Sequence, residues 1–346
     1  MDVETPPRSL SETAKRDLVT KRGTTSAIGW TILFFVISWA AFYGLSRALP
    51  YLKNGSDVVF DAKLRWEEKG QVFSADPAVT RVLIFGNSKI LAGFLPSRFD
   101  QMSLASHLNV VSFNSGFPGS DLFLPPLKAM CERGQAPHVL LLTLPWSDDP
   151  PRRDIFHVIL DDHAAIDLLF PFRNFLRDLT AFLLSAPGHG GVVSYYREAE
   201  ANERDVIAQR GYHLITEQSH FPGDRLPDDF HLASDQPRQV NTRVAPSQGA
   251  QIHELNDLVQ RYHMDCYYVP YYLRTGEAAP ADASDARFAA LLQQATSCKL
   301  LGPDYYLYPN RLFSDQTHLN RAGAQVYTEA LFQLLKASQG HAHALQ

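Results

Sequence analysis

Hydrophobic and polar positions follow two different periods along most of the chain. Short apolar runs predict buried strands, and segments with apolar residues every three or four positions predict helices between them. The predicted strands and extended pieces are residues 81–85, 109–113, 138–144, 265–269 and 305–308. The predicted helices are residues 95–106, 122–133, 252–259, 288–292 and 322–335. This alternation predicts an α/β fold, a three-layer sandwich in which helices cover both faces of a central parallel sheet.

An uncharged apolar segment covers residues 26–45, near the amino terminus. About 20 such residues span a bilayer core of roughly 30 Å. Trp30, Trp39 and Tyr43 add the aromatic character of membrane segments. A cleaved signal peptide is the alternative, although its apolar region usually has only about 7–15 residues. We therefore expect one uncleaved transmembrane helix ahead of the α/β domain.

The basic residues around this segment predict its orientation. Those that precede it closely are Lys15, Arg16, Lys21 and Arg22. Arg47 and Lys53 follow it. Because cytoplasmic flanks carry the excess of Lys and Arg, we expect the amino-terminal tail in the cytoplasm. The protein is then a single-pass protein of the inner (cell) membrane, with its globular part in the periplasm or otherwise outside the cytoplasm.

The apolar segment and the alternation of predicted strands and helices divide the chain into segments. The predicted segments are a cytoplasmic tail at 1–25, a transmembrane anchor at 26–48, a linker at 49–77 and an α/β domain at 78–340. Residues 150–250 interrupt the alternation and are rich in Gly, Pro, His, Asp and Gln after residue 187. They form a predicted insertion within the domain. Three interpretations of this insertion remain: a lid, a recognition surface, or a surface loop without a functional role.

The net charge and the cysteine content limit the kinds of partner and ligand that we expect. The 346-residue chain has a formal net charge of −5 and no stripe rich in Lys or Arg, so we expect no nucleic-acid partner. Its three cysteines, Cys131, Cys266 and Cys298, have no C-x-x-C spacing, so at most one disulfide is possible and no zinc site is expected. We predict neither a metal nor a cofactor.

Ser88 is the first candidate for chemistry. The apolar run 81–85 ends at Gly86-Asn87-Ser88, which predicts a buried strand that leads into a tight turn. Such a turn exposes a serine at the carboxyl end of the strand. The alternative is that Ser88 caps the following helix.

Asp315 and His318 supply what a serine nucleophile needs. They lie three residues apart, just before the amphipathic helix predicted after residue 321. A serine hydroxyl becomes nucleophilic when an imidazole takes its proton, and a carboxylate on the other ring nitrogen orients that imidazole. A solvated surface turn is the alternative for Asp-x-x-His.

A glycine-bearing turn follows the second predicted strand. Val110–Ser120 reads as a strand followed by a turn with Gly116, whose backbone amide is a candidate donor to a developing oxyanion. An ordinary turn between a strand and a helix is the alternative.

These three segments together resemble the SGNH (GDSL-like) hydrolases and acyltransferases. Gly86-Asn87-Ser88 is similar to the first block, Asn114-Ser115-Gly116 to the glycine block and Asp315-Gln316-Thr317-His318 to the last block. The resemblance covers residues 78–338. It implies an SGNH-like fold, with catalytic Ser88, Asp315 and His318 and an oxyanion site that includes the amides of Ser88 and Gly116.

The chain departs from the family at one block. The family places Gly-x-Asn-Asp after a central strand, with the asparagine as an oxyanion donor, but here the strand 138–144 is followed by Pro145-Trp146-Ser147-Asp148-Asp149. Ser147 is the nearest substitute donor. Asn87, Asn114 and Trp146 are the expected substrate-binding residues.

The resemblance implies a serine-dependent acyl transfer or ester hydrolysis. The chain most resembles the envelope proteins of polysaccharide O-acetylation and of teichoic-acid D-alanylation. It implies an envelope glycan as substrate, an O-acetyl group as the acyl group, and a multi-pass membrane O-acyltransferase as partner. A non-catalytic, membrane-tethered glycan-binding or scaffold subunit on the same fold is the alternative function.

Overall fold

The computed structural model describes residues 12–343 with several gaps. The gaps are residues 74–75, 77, 118–123, 144–169, 171, 173, 216–220, 232–249, 276–280, 284–293, 295 and 304. The chain divides into two compact units, one made of Met1–Lys53 and Asp162–Val192, the other of Asn54–Asp161 and Val193–Gln346. We call them the N-terminal unit and the α/β unit.

The helices and strands of the described residues are numbered along the chain. The helices are α1 (Glu12–Ala48), α2 (Gly55–Glu68), α3 (Ser88–Gly93), α4 (Pro96–Ala105), α5 (Leu124–Glu132), α6 (Phe175–Ser185), α7 (Val192–Ala208), α8 (Ala250–Arg261) and α9 (Arg321–His343). The strands are β1 (Thr80–Gly86), β2 (Val110–Gly116), β3 (Val139–Thr143), β4 (Asp265–Val269), β5 (Tyr271–Thr275), β6 (Ala281–Ala283), β7 (Lys299–Leu300) and β8 (Tyr305–Pro309).

The predicted α/β fold with a central parallel sheet is confirmed. Among the described strands, five pair in the order β2-β1-β3-β4-β7, and each neighbouring pair is parallel. The chain leaves β1 toward β2 on one side and later returns to β3 on the other side, so the order reverses at β1. Ligands of such sheets bind beyond the carboxyl ends of the strands at this reversal. Ser88 follows directly after β1.

Helices pack on both faces of this sheet because its central strands are apolar on both sides. In β1, Leu83 and Phe85 pack into a core with residues of α2, α5 and α8. Val82 and Ile84 point to the other face and pack with residues of α4 and α9. A strand that is buried on both faces reads as a continuous hydrophobic run, which is why 81–85 shows no polar alternation.

A second, smaller sheet follows the central one. Its described strands pair in the order β5-β8-β6, with β5 parallel and β6 antiparallel to β8. β5 begins two residues after β4 ends, so the chain continues from the central sheet through Pro270 into the second sheet.

Two helices lie within the predicted linker and the predicted insertion. Residues 55–68, within the predicted linker, form α2, whose residues Phe60, Lys63 and Glu67 are buried. Residues 192–208, within the predicted insertion, form α7, and its Tyr195 is buried with its hydroxyl donating to Asn54 Oδ1 at 3.3 Å. The predicted helix 288–292 lies outside the described residues.

The N-terminal unit contains the apolar segment. Ala27–Ala48, within α1, is 22 residues long with a mean hydropathy of 1.8, which is long and apolar enough to cross a bilayer. By length and composition alone this finding is a weak indication of a membrane span.

One disulfide joins two of the three cysteines. Cys266 of β4 is bonded to Cys298, which precedes β7. Cys131 is a buried free thiol, and burial raises its pKa to about 12.

Candidate active site

Ser88 is the first residue of α3, immediately beyond the carboxyl end of β1. Asn87 has an extended backbone and caps the helix, because its Oδ1 accepts a hydrogen bond from the Lys89 amide at 3.0 Å. The strand-to-helix turn predicted at Gly86-Asn87-Ser88 is therefore present, and the cap is Asn87 rather than Ser88. Ser88 is half-buried, so its hydroxyl group stays accessible at the edge of the sheet.

The acid–base residues lie in a tight loop just before α9. Asp315 Oδ1 accepts hydrogen bonds from the amides of Thr317 and His318, both at 2.7 Å. The Ser314 amide donates to the His318 carbonyl at 2.9 Å and closes the loop. Asn320 then caps α9 by accepting from the Gly323 amide at 3.0 Å. Short polar side chains that bond to nearby amides are typical of such turns, and here they fix the loop from within.

The fold brings Ser88, His318 and Asp315 together in a hydrogen-bonded chain. His318 Nε2 lies 3.0 Å from Ser88 Oγ, although 230 residues separate the two in sequence. His318 Nδ1 lies 2.8 Å from Asp315 Oδ2. Because a carboxylate only accepts hydrogen bonds, Nδ1 carries the hydrogen and Nε2 is left to accept from the serine hydroxyl. This is the arrangement that activates a serine nucleophile.

The local electrostatics keep Asp315 ionised. Burial of the carboxyl group opposes its ionisation, but hydrogen bonds from the His318 ring, the His318 amide and the Thr317 amide outweigh that effect. The pKa of Asp315 is therefore lowered from its ordinary value of 3.8. A negative charge beside Nδ1 stabilises the imidazolium ion that forms when His318 takes a proton.

The glycine block has a structural role in the described geometry. The Gly116 amide donates to Asn114 Oδ1 at 2.8 Å, so its hydrogen is already engaged. The Asn114 side chain is fully buried, and its Nδ2 donates to the carbonyls of Ile90 and Phe94, each at 2.8 Å. Asn114, predicted to bind substrate, thus lies beneath α3 and holds that helix against β2.

Gly116 also permits α3 to approach the sheet. A Cβ atom at this position would lie 2.3 Å from the Leu91 amide nitrogen, which is closer than non-bonded atoms come. Only glycine fits so close to a neighbouring backbone. Helix α3 therefore packs directly on the end of β2.

Four further residues were predicted to act in the site: Ser88 and Ser147 as oxyanion donors, and Asn87 and Trp146 as substrate-binding residues. The Ser88 amide belongs to the first turn of α3, where amides have no acceptor within the helix. Asn87 faces the site, and its Nδ2 lies 3.4 Å from the Tyr271 hydroxyl. Trp146 and Ser147 lie outside the described residues.

Tyr272 lies between the two halves of the site. Its hydroxyl donates to the Lys89 carbonyl at 2.8 Å, one residue beyond Ser88. Burial raises the pKa of the Tyr272 phenol well above its ordinary value, with Tyr271 and Tyr327 adding to the shift. A hydrogen bond with the Leu319 main chain, one residue beyond His318, acts against it. A tyrosine directly after a strand that ends near the site was the available signal.

Two cationic side chains lie around the triad on the side of β5. Lys89 Nζ lies 4.3 Å from the centre of the Tyr271 ring and 3.3 Å from the Tyr272 carbonyl. Arg274 Nε lies 3.4 Å from the carbonyl of Gln316, within the loop that carries Asp315 and His318. The sequence did not indicate either contact, because Lys89 of α3 meets residues of β5 far along the chain, and Arg274 of β5 meets a loop 42 positions later.

A buried polar network lies beneath the glycine block. Lys63 Nζ donates to the carbonyl groups of Gly116 and Gly211, and Ser115 Oγ donates to Glu67 Oε1 at 2.8 Å. Burial lowers the pKa of Lys63 to about 7, and the nearby Glu67 partly offsets that effect. A lysine on the apolar face of α2 was the signal in the sequence, but nothing there indicated which carbonyl groups it meets.

The described residues contain no group of three or more His, Cys, Asp and Glu side chains arranged to hold a metal ion. Comparisons of the chain with protein-family models, with curated proteins and with solved structures each find no match.

Proposed function

We propose that the protein is a membrane-anchored, SGNH-type serine esterase or O-acyltransferase that acts on acyl groups, of the O-acetyl kind, of a cell-envelope polysaccharide. One observation carries the proposal: Ser88 Oγ, the His318 ring and the Asp315 carboxylate form a continuous hydrogen-bonded chain, with contacts of 3.0 and 2.8 Å. A surface serine and a solvated Asp-x-x-His turn have no reason to meet in this order.

The proposed reaction has two steps. Ser88 Oγ attacks the carbonyl carbon of the acyl group while its proton passes to His318 Nε2, and the tetrahedral intermediate then expels the alcohol, which takes that proton. This leaves the acyl group on Ser88. Water or a sugar hydroxyl group then gives a proton to His318 and attacks the acyl-enzyme, which frees Ser88 and yields an acid or a new ester. Asp315 keeps the ring oriented in both steps.

The position of Ser88 supports this chemistry. Its amide lies in the first turn of α3, close to where an oxyanion forms when the adjacent hydroxyl attacks. Because the Gly116 amide already donates to Asn114, a further donor must come from elsewhere, and Ser147 keeps that role as a proposal.

Two features support a location outside the cytoplasm. Ala27–Ala48 is long and apolar enough to anchor the chain in a membrane, with the stronger basic flank ahead of it. The Cys266–Cys298 disulfide is typical of oxidising compartments such as the periplasm. We accordingly propose a single-pass topology in the inner membrane. The proposed partners are an envelope glycan and a multi-pass membrane O-acyltransferase that supplies acyl groups, since acyl-CoA stays in the cytoplasm.

One observation favours a second candidate. The engaged Gly116 amide leaves Ser88 as the one predicted oxyanion donor that the described residues offer to a substrate. Losing a donor typically costs about a hundred- to a thousandfold in rate. A non-catalytic glycan-binding or scaffold subunit, tethered by the same helix, is therefore the alternative function.

A fluorophosphonate probe separates the two candidates, because it labels only a serine whose proton a base removes. The detergent-solubilised full chain is incubated with the probe and digested, and the labelled peptide is identified by mass spectrometry. We expect labelling at Ser88 that disappears in Ser88→Ala and in His318→Ala. Ser106→Ala serves as the control, since this serine directly follows α4 and its hydroxyl accepts a hydrogen bond from Lys336 at 3.2 Å.

Hydrolysis of p-nitrophenyl acetate by the same preparations provides a second measurement. Ser88→Ala and His318→Ala should each abolish turnover, and the double variant should be no worse, because the two residues act as a unit. Full labelling or turnover by Ser88→Ala refutes the assignment. A folded wild-type chain without any labelling supports the non-catalytic alternative.

A further inference from the structure

Helix α6 of the N-terminal unit is apolar on two of its faces. One face consists of Phe175, Leu179, Phe182 and Ala186, spaced by three or four residues, and these are buried or partly buried. Asp178 and Ser185 occupy a narrow polar face, and Arg177, whose Nη2 lies 2.7 Å from Asp178 Oδ1, lies between that face and Leu184.

The second apolar face is exposed. Leu176, Leu183 and Leu184 have relative exposures of 61%, 49% and 78%, and exposed Pro187 follows one turn later, just beyond the end of α6. Exposed Thr180 lies among them, and its hydroxyl donates to the Leu176 carbonyl at 2.7 Å, so this polar group is satisfied within the helix. We call the four apolar residues the outer stripe. A surface helix of a soluble protein normally pairs one apolar face with one broad polar face. When a helix carries a second apolar face that is exposed, that face indicates contact with another protein or with lipid.

The segment that leads into α6 packs on the candidate membrane span. The Phe172 ring lies 6.0 Å from the Trp39 ring and 5.8 Å from the Phe42 ring, between centres. The Phe175 ring, in the first turn of α6, lies 6.1 Å from that of Phe42. All of these residues belong to the N-terminal unit, so they describe packing within one compact body.

The covered part of the span is a single stripe. Trp39, Phe42, Tyr43 and Ser46, at positions i, i+3, i+4 and i+7, are partly buried, while Ala40, Ala41, Gly44 and Leu45 between them are exposed. Whatever surrounds the exposed faces of α1 at this level therefore also surrounds the helix that packs against it.

The level of this contact matches the edge of a bilayer. Phe42 lies six residues before Ala48, where the candidate span ends, which corresponds to about 9 Å along a helix axis. Amphipathic helices at membrane surfaces bury their apolar face to a depth of about 5–10 Å. The stacked rings of Trp39 and Tyr43, with centres 5.2 Å apart, are typical of the aromatic zone at this depth.

We propose that the outer stripe of α6 lies in the boundary between headgroups and acyl chains, in the leaflet that holds the carboxyl end of the span. Its partner is bilayer lipid. The inference rests on the proposed membrane anchoring of α1. Because hydrocarbon surrounds the span at the level of Phe42, it also meets the outer stripe of the helix packed there. Helix α6 is then a second membrane contact of this chain.

Fluorescence quenching by spin-labelled lipid tests this placement in the full chain. Cys131→Ser removes the free thiol and leaves the native disulfide, and a single new cysteine carries an environment-sensitive fluorophore. The test position is Leu184→Cys, the anchor reference is Phe34→Cys, whose side chain is 72% exposed in the span, and the control is Ser185→Cys on the polar face of α6. Each variant is reconstituted into phosphatidylcholine–phosphatidylglycerol vesicles, with or without a phosphatidylcholine that carries a nitroxide near its headgroup.

The proposal expects the Leu184 label to lose about half of its fluorescence or more in the spin-labelled vesicles, and to be shielded from aqueous iodide. The Ser185 label should be quenched less by lipid and more by iodide. If Phe34 is shielded from iodide and Leu184 is open to it, the α6 proposal fails while the anchor stands. If both are open to iodide, the anchor itself fails. Shielding of Leu184 from iodide without quenching by lipid indicates that protein covers the outer stripe, and this also overturns the proposal.

Discussion

The hydroxyl group of Tyr272 donates a hydrogen bond to the main-chain carbonyl of Lys89, at 2.8 Å and across 183 residues of sequence. Lys89 adjoins the proposed nucleophile Ser88, and Leu319, whose main chain acts to lower the pKa of Tyr272, adjoins His318. One buried phenol therefore lies between the two segments that must stay in register for Ser88 and His318 to meet. Tyr272 touches no reacting atom, so we regard it as a positioning residue.

Tyr272→Phe removes this connection and keeps the ring. A hydrogen bond of this kind contributes about 0.5–1.5 kcal/mol, which corresponds to about a two- to tenfold loss if it acts on the transition state. We expect this loss in kcat for p-nitrophenyl acetate, with KM nearly unchanged. Tyr308→Phe is the matched control, because its buried ring stacks on Tyr272 and its hydroxyl makes no hydrogen bond within the described chain. Equal losses in both variants would assign Tyr272 to packing alone.

Asp315→Asn tests the orientation of His318. An amide can donate toward Nδ1 and so favours the ring form in which Nε2 carries the hydrogen, where it no longer accepts from Ser88. We expect kcat to fall by about a thousandfold or more, while fluorophosphonate labelling slows in proportion. Retention of wild-type kcat in this variant would remove Asp315 from the mechanism.

The same variant has a predicted effect on acid stability. The pKa of Asp315 in the folded chain lies below its ordinary value of 3.8, so the ionised carboxylate stabilises the fold. This contribution is complete above pH 3.8 and is lost as the pH falls through the folded-state pKa. The melting temperature of the wild type should therefore fall more steeply below pH 4 than that of Asp315→Asn. Parallel curves for the two proteins would contradict this assignment.

Gly116→Ala tests whether the glycine block acts by close packing. A Cβ atom there would meet the Leu91 amide nitrogen at 2.3 Å, so α3 must shift away from β2 and carry Ser88 with it. We expect a loss of stability of about 1–3 kcal/mol, as for other overpacked sites, together with a loss of Ser88 labelling. Gly188→Ala is the control, since a Cβ atom there has nothing within 4 Å. An active, stable Gly116→Ala variant would show that this contact relaxes without moving Ser88.

The sequence was most informative where local chemistry decides the structure. The continuous apolar run 81–85, buried on both faces of the sheet, indicated a central parallel strand, and the glycine and asparagine after it indicated the turn that exposes Ser88. The Asp-x-x-His turn was equally local, because Asp315 bonds to amides two and three residues ahead.

The sequence was least informative where one side chain forms hydrogen bonds with segments that are distant along the chain. Asn114 was expected to bind substrate, yet its Nδ2 donates to carbonyl groups 20 and 24 positions earlier in the chain, and no local pattern indicates this. Likewise α2 was read as part of a linker, because its buried Lys63 and Glu67 look like surface charges. Their partners, Gly116, Gly211 and Ser115, come from β2 and from the chain after α7.

Lys63→Met tests the network beneath the active site. Methionine keeps the volume but leaves the Gly116 and Gly211 carbonyl groups without their donor. Leaving a buried polar group unsatisfied typically costs about 1–3 kcal/mol. The folded-state pKa of Lys63, about 7 against an ordinary 10.5, adds a pH signature. Between these values the unfolded chain holds a proton that the folded chain lacks, so stability rises with pH, by up to about 1.4 kcal/mol per unit.

Urea denaturation of the solubilised full chain at several pH values between 7 and 10 measures this slope. We expect Lys63→Met to be less stable than the wild type and to lose part of the rise with pH. Lys69→Met is the control, because Lys69 is exposed at the end of the same helix and should leave both quantities unchanged. If Lys63→Met keeps the wild-type slope, the folded and unfolded chains bind the Lys63 proton equally. The buried amine would then stay protonated, and Glu67 would have to stabilise that charge more strongly than burial opposes it.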